Sequence, residues 1–349
     1  MSVHGAHRVL RTPSRRISLR IHLRAAAVVL GLLAAVCGVA LAAMGTGSAV
    51  PVDEVVTTLL GRGDAMSEMV VFELRAPRAL LALLVGAALG AGGAVVQSLS
   101  RNPLGSPDVI GVNAGAAAGA VLMILVVGAV TPAAVTAGAL ACGLAAALAV
   151  YVLSFKRGVQ GTRLVLVGIG VTAALHSMTA YLLTRADLYE SQGAKVWLVG
   201  SLAGAGWERV WPVAGALVVL LPVTLGLGRS LAIMEMGDDA AAALGLTVER
   251  LRLALLLSAV ALSGVAVSVA GPIGFVALAA PQLARRLTRA PGAGVAAAAV
   301  TGALLLAAAD LTAQRLPTPG QLPVGVLTGG LGGIYLAWLL HREWRAGRS

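Results

Sequence analysis

The sequence predicts an all-α integral membrane protein with about ten transmembrane helices. Of the 349 residues, 58% are hydrophobic and only 12% are charged, and the mean hydropathy is +0.90. Soluble domains carry about 25% charged residues, so this chain lacks the charge needed to cover a water-exposed surface of its size. The 44 glycines and the aromatic share of 3% are typical of helices that pack closely through small residues in lipid. The composition therefore excludes a soluble enzyme and a disordered chain.

Ten apolar stretches predict the membrane-spanning helices. A helix of about 20 apolar residues crosses a bilayer core about 30 Å thick. Stretches close to that length lie, in chain order, at Ala25–Met44, Ala79–Leu99, Val109–Val130, Ala133–Phe155, Leu164–Leu183, Val210–Leu227, Leu251–Ala270, Ile273–Leu287, Gly294–Leu311 and Val324–Leu340. The eighth stretch is short and follows the helix breaker Gly271-Pro272, which indicates a partial or tilted span.

The domain organisation follows from these stretches. We expect a basic cytoplasmic tail (1–24), a single transmembrane domain (25–340) and a second cytoplasmic tail (341–349). The arginines before the first stretch fit a signal peptide, but its apolar run of about 20 residues exceeds the usual 7–15, so an uncleaved span is expected. The two cysteines, Cys37 and Cys142, lie inside apolar runs and exclude a disulfide framework and a cysteine-based zinc site.

The distribution of basic residues predicts the orientation in the membrane. With ten spans, both termini lie on one side of the bilayer. That side holds 19 of the 26 lysines and arginines, and the opposite side holds 7. The positive-inside rule therefore places both termini in the cytoplasm. Membrane topology thus accounts for most of the net charge of +11, and no nucleic-acid partner is expected.

The sequence contains no energy source of its own. It has no G-x-x-x-x-G-K-[ST] phosphate loop, and its only lysines are Lys156 and Lys195. Ion-coupled transporters usually place ionisable groups at mid-membrane, but Asp108 and Asp310 lie near span ends, and His176 has no acidic neighbour one helical turn away. These absences argue against an ion-coupled secondary transporter, the main alternative of another class, and indicate a partner that supplies energy.

The segment Gly228–Arg252, here called the coupling loop, is the most informative polar segment. Asp238 and Asp239 can cap a short helix, because acids are favoured at a helix N-terminus. Gly245 can end that helix, and a second short helix can begin near Thr247. Two such helices would form a rigid docking surface, whereas the alternative is an ordinary capped connection.

Several motifs resemble one known family. Asp239-Ala-Ala-x-x-x-Gly245 resembles the E-A-A-x-x-x-G coupling motif of ABC importer permeases, with Asp in place of Glu. The surrounding segments are similar to the FecCD-type permeases for iron-siderophores and vitamin B12, and they follow the family order from about residue 50 to about residue 340. These segments are Arg75-Ala-Pro-Arg78, Val85–Gly90, Arg101–Gly111, Val196–Leu202, Leu244–Arg250, Ala270–Val276, Pro281–Arg286 and Leu322–Thr328.

The resemblance implies a fold and a set of partners. The family has ten spans with broken helices and inverted repeats, and it works in the bacterial cytoplasmic membrane as a pair of permease subunits, either two copies or two homologues. Two ATPase subunits, which hold the ATP and magnesium, and an external binding protein complete the importer. The permease itself is not an enzyme and has no cofactor. The motifs are most similar to the ferric-enterobactin type, so a ferric siderophore is the expected cargo, and vitamin B12 or haem is the alternative.

The resemblance also assigns roles to individual residues. ATPase coupling is expected at Asp238, Asp239, Ala240, Ala241, Gly245, Glu249 and Arg250. Docking of the binding protein is expected at Arg75, Arg78 and Arg315, for which snorkelling at the membrane interface is the alternative. Gly161 and Thr162 correspond to a narrow cytoplasmic gate, although Thr162 could instead be a helix N-cap. Arg101-Asn102-Pro103 is either functional or only a turn with an anchoring arginine.

Overall fold

The computed structural model describes residues 7–11, 18–46, 51–129, 131–155, 161–290, 292–316 and 321–346. Within these residues the chain is helical apart from an antiparallel hairpin in the predicted N-terminal tail, formed by β1 (His7–Arg11) and β2 (Ser18–His22). The helices in chain order are α1 (Leu23–Met44), α2 (Val52–Leu59), α3 (Ala65–Glu68), α4 (Ala76–Ser100), α5 (Val112–Leu125), α6 (Pro132–Ser154), α7 (Gly161–Arg185), α8 (Leu188–Val199), α9 (Trp207–Gly226), α10 (Gly228–Met234), α11 (Asp238–Ala243), α12 (Val248–Ala270), α13 (Val276–Thr288), α14 (Val295–Arg315) and α15 (Val324–Ala346). A π-helical segment, Met69–Arg75, joins α3 to α4, and a 3₁₀ turn, Pro107–Ile110, precedes α5.

Each predicted apolar stretch coincides with one helix. Seven of the described helices are long and apolar enough to cross a membrane: α1, α6, α7, α9, α12, α14 and the continuous helix Ala65–Ser100 that contains α4. The other three stretches form shorter helices, which are α5, α13 and the apolar first part of α15. The helical membrane fold is therefore confirmed, while the number of spans stays a prediction.

Helix α4 lies at the centre of the bundle and packs through glycines. In the helix that contains it, 78% of the residues in an apolar 18-residue segment are buried, against 11% in the corresponding segment of α7. A Cβ atom at Gly90 would lie 2.2 Å from the carbonyl oxygen of Ala298, and one at Gly302 would lie 2.2 Å from that of Gly86. The backbones of α4 and α14 therefore touch directly, as is common for helices that associate in lipid.

Helical structure is interrupted where α8, α12 and α15 meet. The N–H of Ser201 donates to the carbonyl oxygen of Ala270 at 2.8 Å, and the N–H of Gly325 donates to that of Gly200 at 3.0 Å. Gly200 and Gly271 have φ values of +76° and +74°, which favour glycine. The predicted break at Gly271-Pro272 is confirmed. Helix α13 follows with 13 residues, and its length of about 20 Å is less than the thickness of the bilayer core.

At one end of α4, Arg78 forms an ion pair with Asp310 on α14. Its Nε and Nη2 atoms donate to the two carboxylate oxygens at 3.0 and 2.9 Å, and Nη1 donates to Gln321 at 2.9 Å. The side chains of Arg78 and Asp310 are 12% and 2% exposed. Such a two-point pair fixes the orientation of both groups. The structure thus gives Arg78 an internal partner, and docking of the external binding protein at this residue stays a prediction.

We expect Gly90→Ala to lower the melting temperature of the purified protein in detergent. The added Cβ atom overlaps the carbonyl oxygen of Ala298, and overpacking of this kind costs about 1–3 kcal/mol. Gly215→Ala on α9 is the matched control, because no atom lies within 4 Å of the added methyl group there. Alanine favours a helix over glycine by about 1 kcal/mol, so the control should melt at an equal or higher temperature. Equal behaviour of the two variants would contradict the direct backbone contact.

We also expect Asp310→Asn to destabilise the protein. The substitution leaves the charge of Arg78 without its carboxylate in a largely buried position, and breaking a buried pair costs about 3–5 kcal/mol. Thermal unfolding in detergent measures this loss. Arg315→Gln, at the exposed end of the same helix, should have little effect. The double variant Arg78→Gln, Asp310→Asn should regain part of the loss, because no charge is left unpaired. A double variant as unstable as Asp310→Asn would argue against this explanation.

Candidate coupling site

The coupling loop contains a short helix that ends at a left-handed glycine. Helix α11 starts at Asp238 after Gly237, which has a φ of +120°, and the chain turns at Gly245, which has a φ of +83°. No atom lies within 4 Å of a Cβ placed on Gly245. The turn therefore depends on the backbone freedom of glycine and not on close packing. The predicted helix and its end at Gly245 are confirmed.

The predicted second short helix near Thr247 is wrong as a separate element. The helix that begins at Val248 continues without a break to Ala270 as α12. Val248 and Leu251 pack against the hydrophobic core, whereas Glu249 and Arg250 are exposed. One helical face therefore stays buried while polar residues extend the helix beyond its apolar stretch. The two predicted coupling residues, Glu249 and Arg250, thus lie on the first turn of a long helix.

Asp238 binds two arginines and does not cap its own helix. Its side chain makes no capping hydrogen bond. Oδ1 accepts a hydrogen bond from Arg101 at 2.6 Å, and Oδ2 accepts one from Arg252 at 2.6 Å. Arg252 also pairs with Glu249 at 2.9 Å. The role predicted for Asp238 as an N-cap is therefore corrected: this carboxylate joins α11 to α12 and to the segment that follows α4.

The surroundings of Asp238 keep it ionised. Partial burial raises the pKa of this carboxyl, but hydrogen bonds and positive charge from Arg252, and then from Arg101, outweigh that effect. Its pKa consequently lies below the usual value. Asp239 is exposed next to it in the first turn of α11, where a negative charge is favourable. Both ion pairs of Asp238 are therefore present at neutral pH.

Arg101 and Arg252 hold Asp238 in place, but sequence reasoning, which named Arg101 as either functional or an anchor, did not connect either arginine to Asp238. Arg101 lies 137 residues from Asp238, and no spacing rule connects positions so far apart. The sequence places Arg101 directly after the apolar stretch of α4, and the structure gives this residue a φ of +50°. Glycine is the usual residue at such a left-handed helix end. The position of Arg101 therefore did not by itself identify a partner for its side chain.

A cavity lies beside the ion pairs of Asp238. It has a volume of about 530 Å³ and is bordered by Arg101, Asp238 and Arg252 on one side. Apolar side chains from α4, α7 and α12 form much of the remaining wall, among them Val96, Leu164 and Leu256. The space borders both the coupling loop and the centre of the bundle.

Buried polar side chains connect the helices near this loop. Gln97 on α4 donates to the carbonyl oxygen of Leu278 at 2.9 Å and accepts a hydrogen bond from Arg285. Gln282 donates to the carbonyl oxygen of Pro103 at 2.7 Å. It also accepts a hydrogen bond from Tyr335 on α15 at 3.1 Å. These contacts attach α13 to α4, to the turn after α4 and to α15, so their ends on this side are held together.

The other two predicted docking arginines differ in their surroundings. Arg75 is half-buried, and its guanidinium donates to the carbonyl oxygen of Met44 at the end of α1. Arg315 is exposed at the end of α14, and the prolines that follow it, Pro317 and Pro319, lie outside the described residues. Docking at these two positions stays a prediction.

The predicted gate falls at the start of α7. Gly161 is the first residue of this helix and Thr162 lies within its first turn, but their side chains lie outside the described part of the chain. The N-cap alternative for Thr162 concerns that side chain and likewise stays a prediction. The gate itself stays a prediction.

Comparisons with known proteins place this geometry in a family. The pattern of the FecCD transport family matches residues 26–342. The ferric enterobactin transport system permease protein FepG of Escherichia coli K12 is 47% identical over 292 residues, which are 84% of this chain and 88% of that protein. The achromobactin transport system permease protein CbrC of Dickeya dadantii is 38% identical over 343 residues, or 97% of this chain and 98% of that protein.

The fold agrees with the sequence comparison. A solved structure described as a metal-chelate type ABC transporter in an inward-facing conformation superposes with a TM-score of 0.80 and 25% identity, over 91% of this chain and 99% of that one. The match therefore includes nearly all of the helical bundle. Since the family pattern and the similar permeases both cover most of the sequence, the chain belongs to the FecCD transport family.

Proposed function

We propose that the chain is a transmembrane permease subunit of an ABC importer that moves a ferric siderophore into a bacterial cell. The observation that carries the proposal is the coupling loop: a short helix with two acids in its first turn, exposed Ala242 and Ala243, and a left-handed, exposed Gly245. Of the other two predicted coupling alanines, Ala240 is half-buried and Ala241 is buried. Such a rigid, protruding element fits a groove on a partner protein. Membership of the FecCD transport family makes an ATPase subunit the expected partner.

The names of the similar permeases support the cargo. The permease that is 47% identical is named for ferric enterobactin transport, and the one that is 38% identical is named for achromobactin transport. The segments Gly105–Gly111 and Pro281–Arg286 of this chain resemble the same type of permease. We therefore assign a ferric siderophore as the cargo, ahead of vitamin B12 or haem.

The proposed assembly contains two permeases, two ATPases and one external binding protein. Only 11% of the residues in the apolar 18-residue segment of α7 are buried. Large apolar side chains such as Leu166, Ile169 and Tyr181 are exposed on this helix. A second permease subunit and lipid would cover such a face. We propose ten spans in the cytoplasmic membrane with both termini in the cytoplasm, because this arrangement satisfies the positive-inside rule. ATP and magnesium belong to the ATPase subunits.

In the proposed mechanism, closure of the ATPases drives the permease. A loaded binding protein docks on the outer face, at Arg75, Arg78 and Arg315. ATP closes the two ATPases, and α11 moves with the groove in which it sits. This movement opens a central cavity between the two permease subunits. The permease itself performs no covalent chemistry.

We expect Gly245→Val to abolish the stimulation of ATP hydrolysis by loaded binding protein in the reconstituted importer. A β-branched residue with a φ of +83° costs about 1–2 kcal/mol locally, which is too little to unfold the bundle but enough to misplace α11. Asp239→Lys should act in the same direction, because it puts a cation at a helix N-terminus. Membrane insertion and binding-protein docking should remain.

Gly128→Val is the matched control for Gly245→Val. Gly128 has a φ of +68° and equally open surroundings, but it lies between α5 and α6, away from the coupling loop. The control should keep normal stimulation. Normal stimulation in Gly245→Val and Asp239→Lys as well would mean that the loop is only a connection.

We further expect uptake to require ATP and not a proton gradient. The sequence has no phosphate loop, which indicates a partner ATPase, and the buried Asp310 is engaged in its ion pair with Arg78. Uptake into proteoliposomes that contain the whole importer should continue when an ionophore collapses the pH gradient at constant internal ATP. The decisive opposite result would be uptake by the permease alone, in vesicles without ATP, when a pH gradient is applied.

A further inference from the structure

Arg101 occupies a backbone position that suits glycine. It ends α4 with φ and ψ of +50° and +31°, a left-handed conformation that is uncommon for residues other than glycine, asparagine and aspartate. The N–H groups of Arg101 and Asn102 donate to the carbonyl oxygens of Ser98 and Gln97 at 3.3 and 3.1 Å, which closes the helix end. A glycine would make the same turn without steric strain. Backbone structure alone therefore gives no reason for an arginine here.

The side chain of Arg101 contacts both short helices of the coupling loop. Its Nη2 atom donates to the carbonyl oxygen of Met234, the last residue of α10, at 3.1 Å. The same atom donates to the carboxylate of Asp238, the first residue of α11, at 2.6 Å. One guanidinium thus attaches the end of α4 to the two helices on either side of Gly237.

The second arginine on Asp238 makes a more local connection. Arg252 lies 14 residues beyond Asp238 on α12, the helix that directly continues the loop. Its side chain is 14% exposed and is held by Glu249 as well, whereas that of Arg101 is 47% exposed. Arg252 therefore fixes the loop to its own following helix. Arg101 connects it to a distant part of the chain.

That distant part is the central helix of the bundle. The backbone of α4 touches that of α14 at its glycines, and the far end of α4 is held to α14 by the pair of Arg78 and Asp310. Helix α4 has 25 residues, a length of about 37 Å. A displacement at its Arg101 end will therefore move a rigid element that extends to the opposite side of the membrane.

We propose that Arg101 is a positioning residue that transmits the displacement of α11 to α4 through Asp238. The inference rests on the proposed function and names the connection inside the permease that the function requires. The ATPase moves α11, the carboxylate of Asp238 moves with it, and the guanidinium of Arg101 carries the movement to the end of α4. In this arrangement, Arg101 contacts neither the ATPase nor the cargo.

The variant Arg101→Gly tests the proposal, because it removes the side chain while the backbone keeps an allowed conformation. We expect an unchanged or higher melting temperature, normal co-purification with the ATPase and normal basal ATP hydrolysis. Stimulation of hydrolysis by loaded binding protein should fall about fivefold or more, since coupling between sites is typically about 5–150-fold. Arg101→Lys keeps a positive charge near Asp238 and should restore part of the stimulation.

Arg289→Gly is the matched control. Arg289 ends α13 with a φ of +49° and is exposed, and it forms no ion pair within the described residues. It should keep full stimulation. Full stimulation in Arg101→Gly would overturn the inference and leave Arg101 as a helix end only. Loss of ATPase assembly in that variant would also overturn the inference. A wild-type importer without stimulation would instead contradict the proposed function, so the two failures are distinguishable.

Discussion

The direct contact of α4 with its neighbours is the constraint on which the rest of the structure depends. In lipid, apolar side chains gain little by leaving their surroundings, so helices associate through close packing and polar contacts. Gly86, Gly90 and Gly302 allow two backbones to touch, and Gly93 places α4 equally close to Ala277 on α13. Larger residues at these positions would separate α4 from both helices at once. Glycine at these four positions is therefore a requirement of the central packing.

Charged side chains act at the two ends of this central helix. At one end, Arg78 is enclosed with Asp310, and at the other, Arg101 reaches out to Asp238. The two pairs differ in exposure, and exposed pairs contribute less to stability than enclosed ones. The Arg78 pair is therefore suited to holding the bundle together. The Arg101 pair is suited to contacts that change during a transport cycle.

The sequence predicted the helices well because each apolar stretch is a local signal. It also located the coupling loop and its turn at Gly245, because acids and glycine mark helix ends within a few residues of each other. The ion pairs could not be predicted in this way. Arg78 and Asp310 are 232 residues apart, and Arg101 and Asp238 are 137 residues apart, so only the packing of the bundle brings them together.

One prediction failed because a polar sequence was taken for the end of a helix. Glu249 and Arg250 lie outside the apolar stretch, yet Val248 and Leu251 keep one face of the same helix on the core. An apolar stretch therefore marks the part of a helix that lipid requires, and the helix itself can be longer. The short strands near the N-terminus gave no comparable signal.

The interruption between α12 and α13 has a consequence for the biogenesis of the protein. Backbone groups that leave a helix inside a membrane need partners within the protein. The carbonyl oxygen of Ala270 finds one in Ser201, which is already synthesised when α12 emerges. The carbonyl oxygen of Gly200 finds its partner in Gly325, which belongs to α15 and is synthesised more than 50 residues after α12. Until that helix arrives, this junction is incomplete, so the junction of α8, α12 and α15 reaches its final structure only after α15 has been translated.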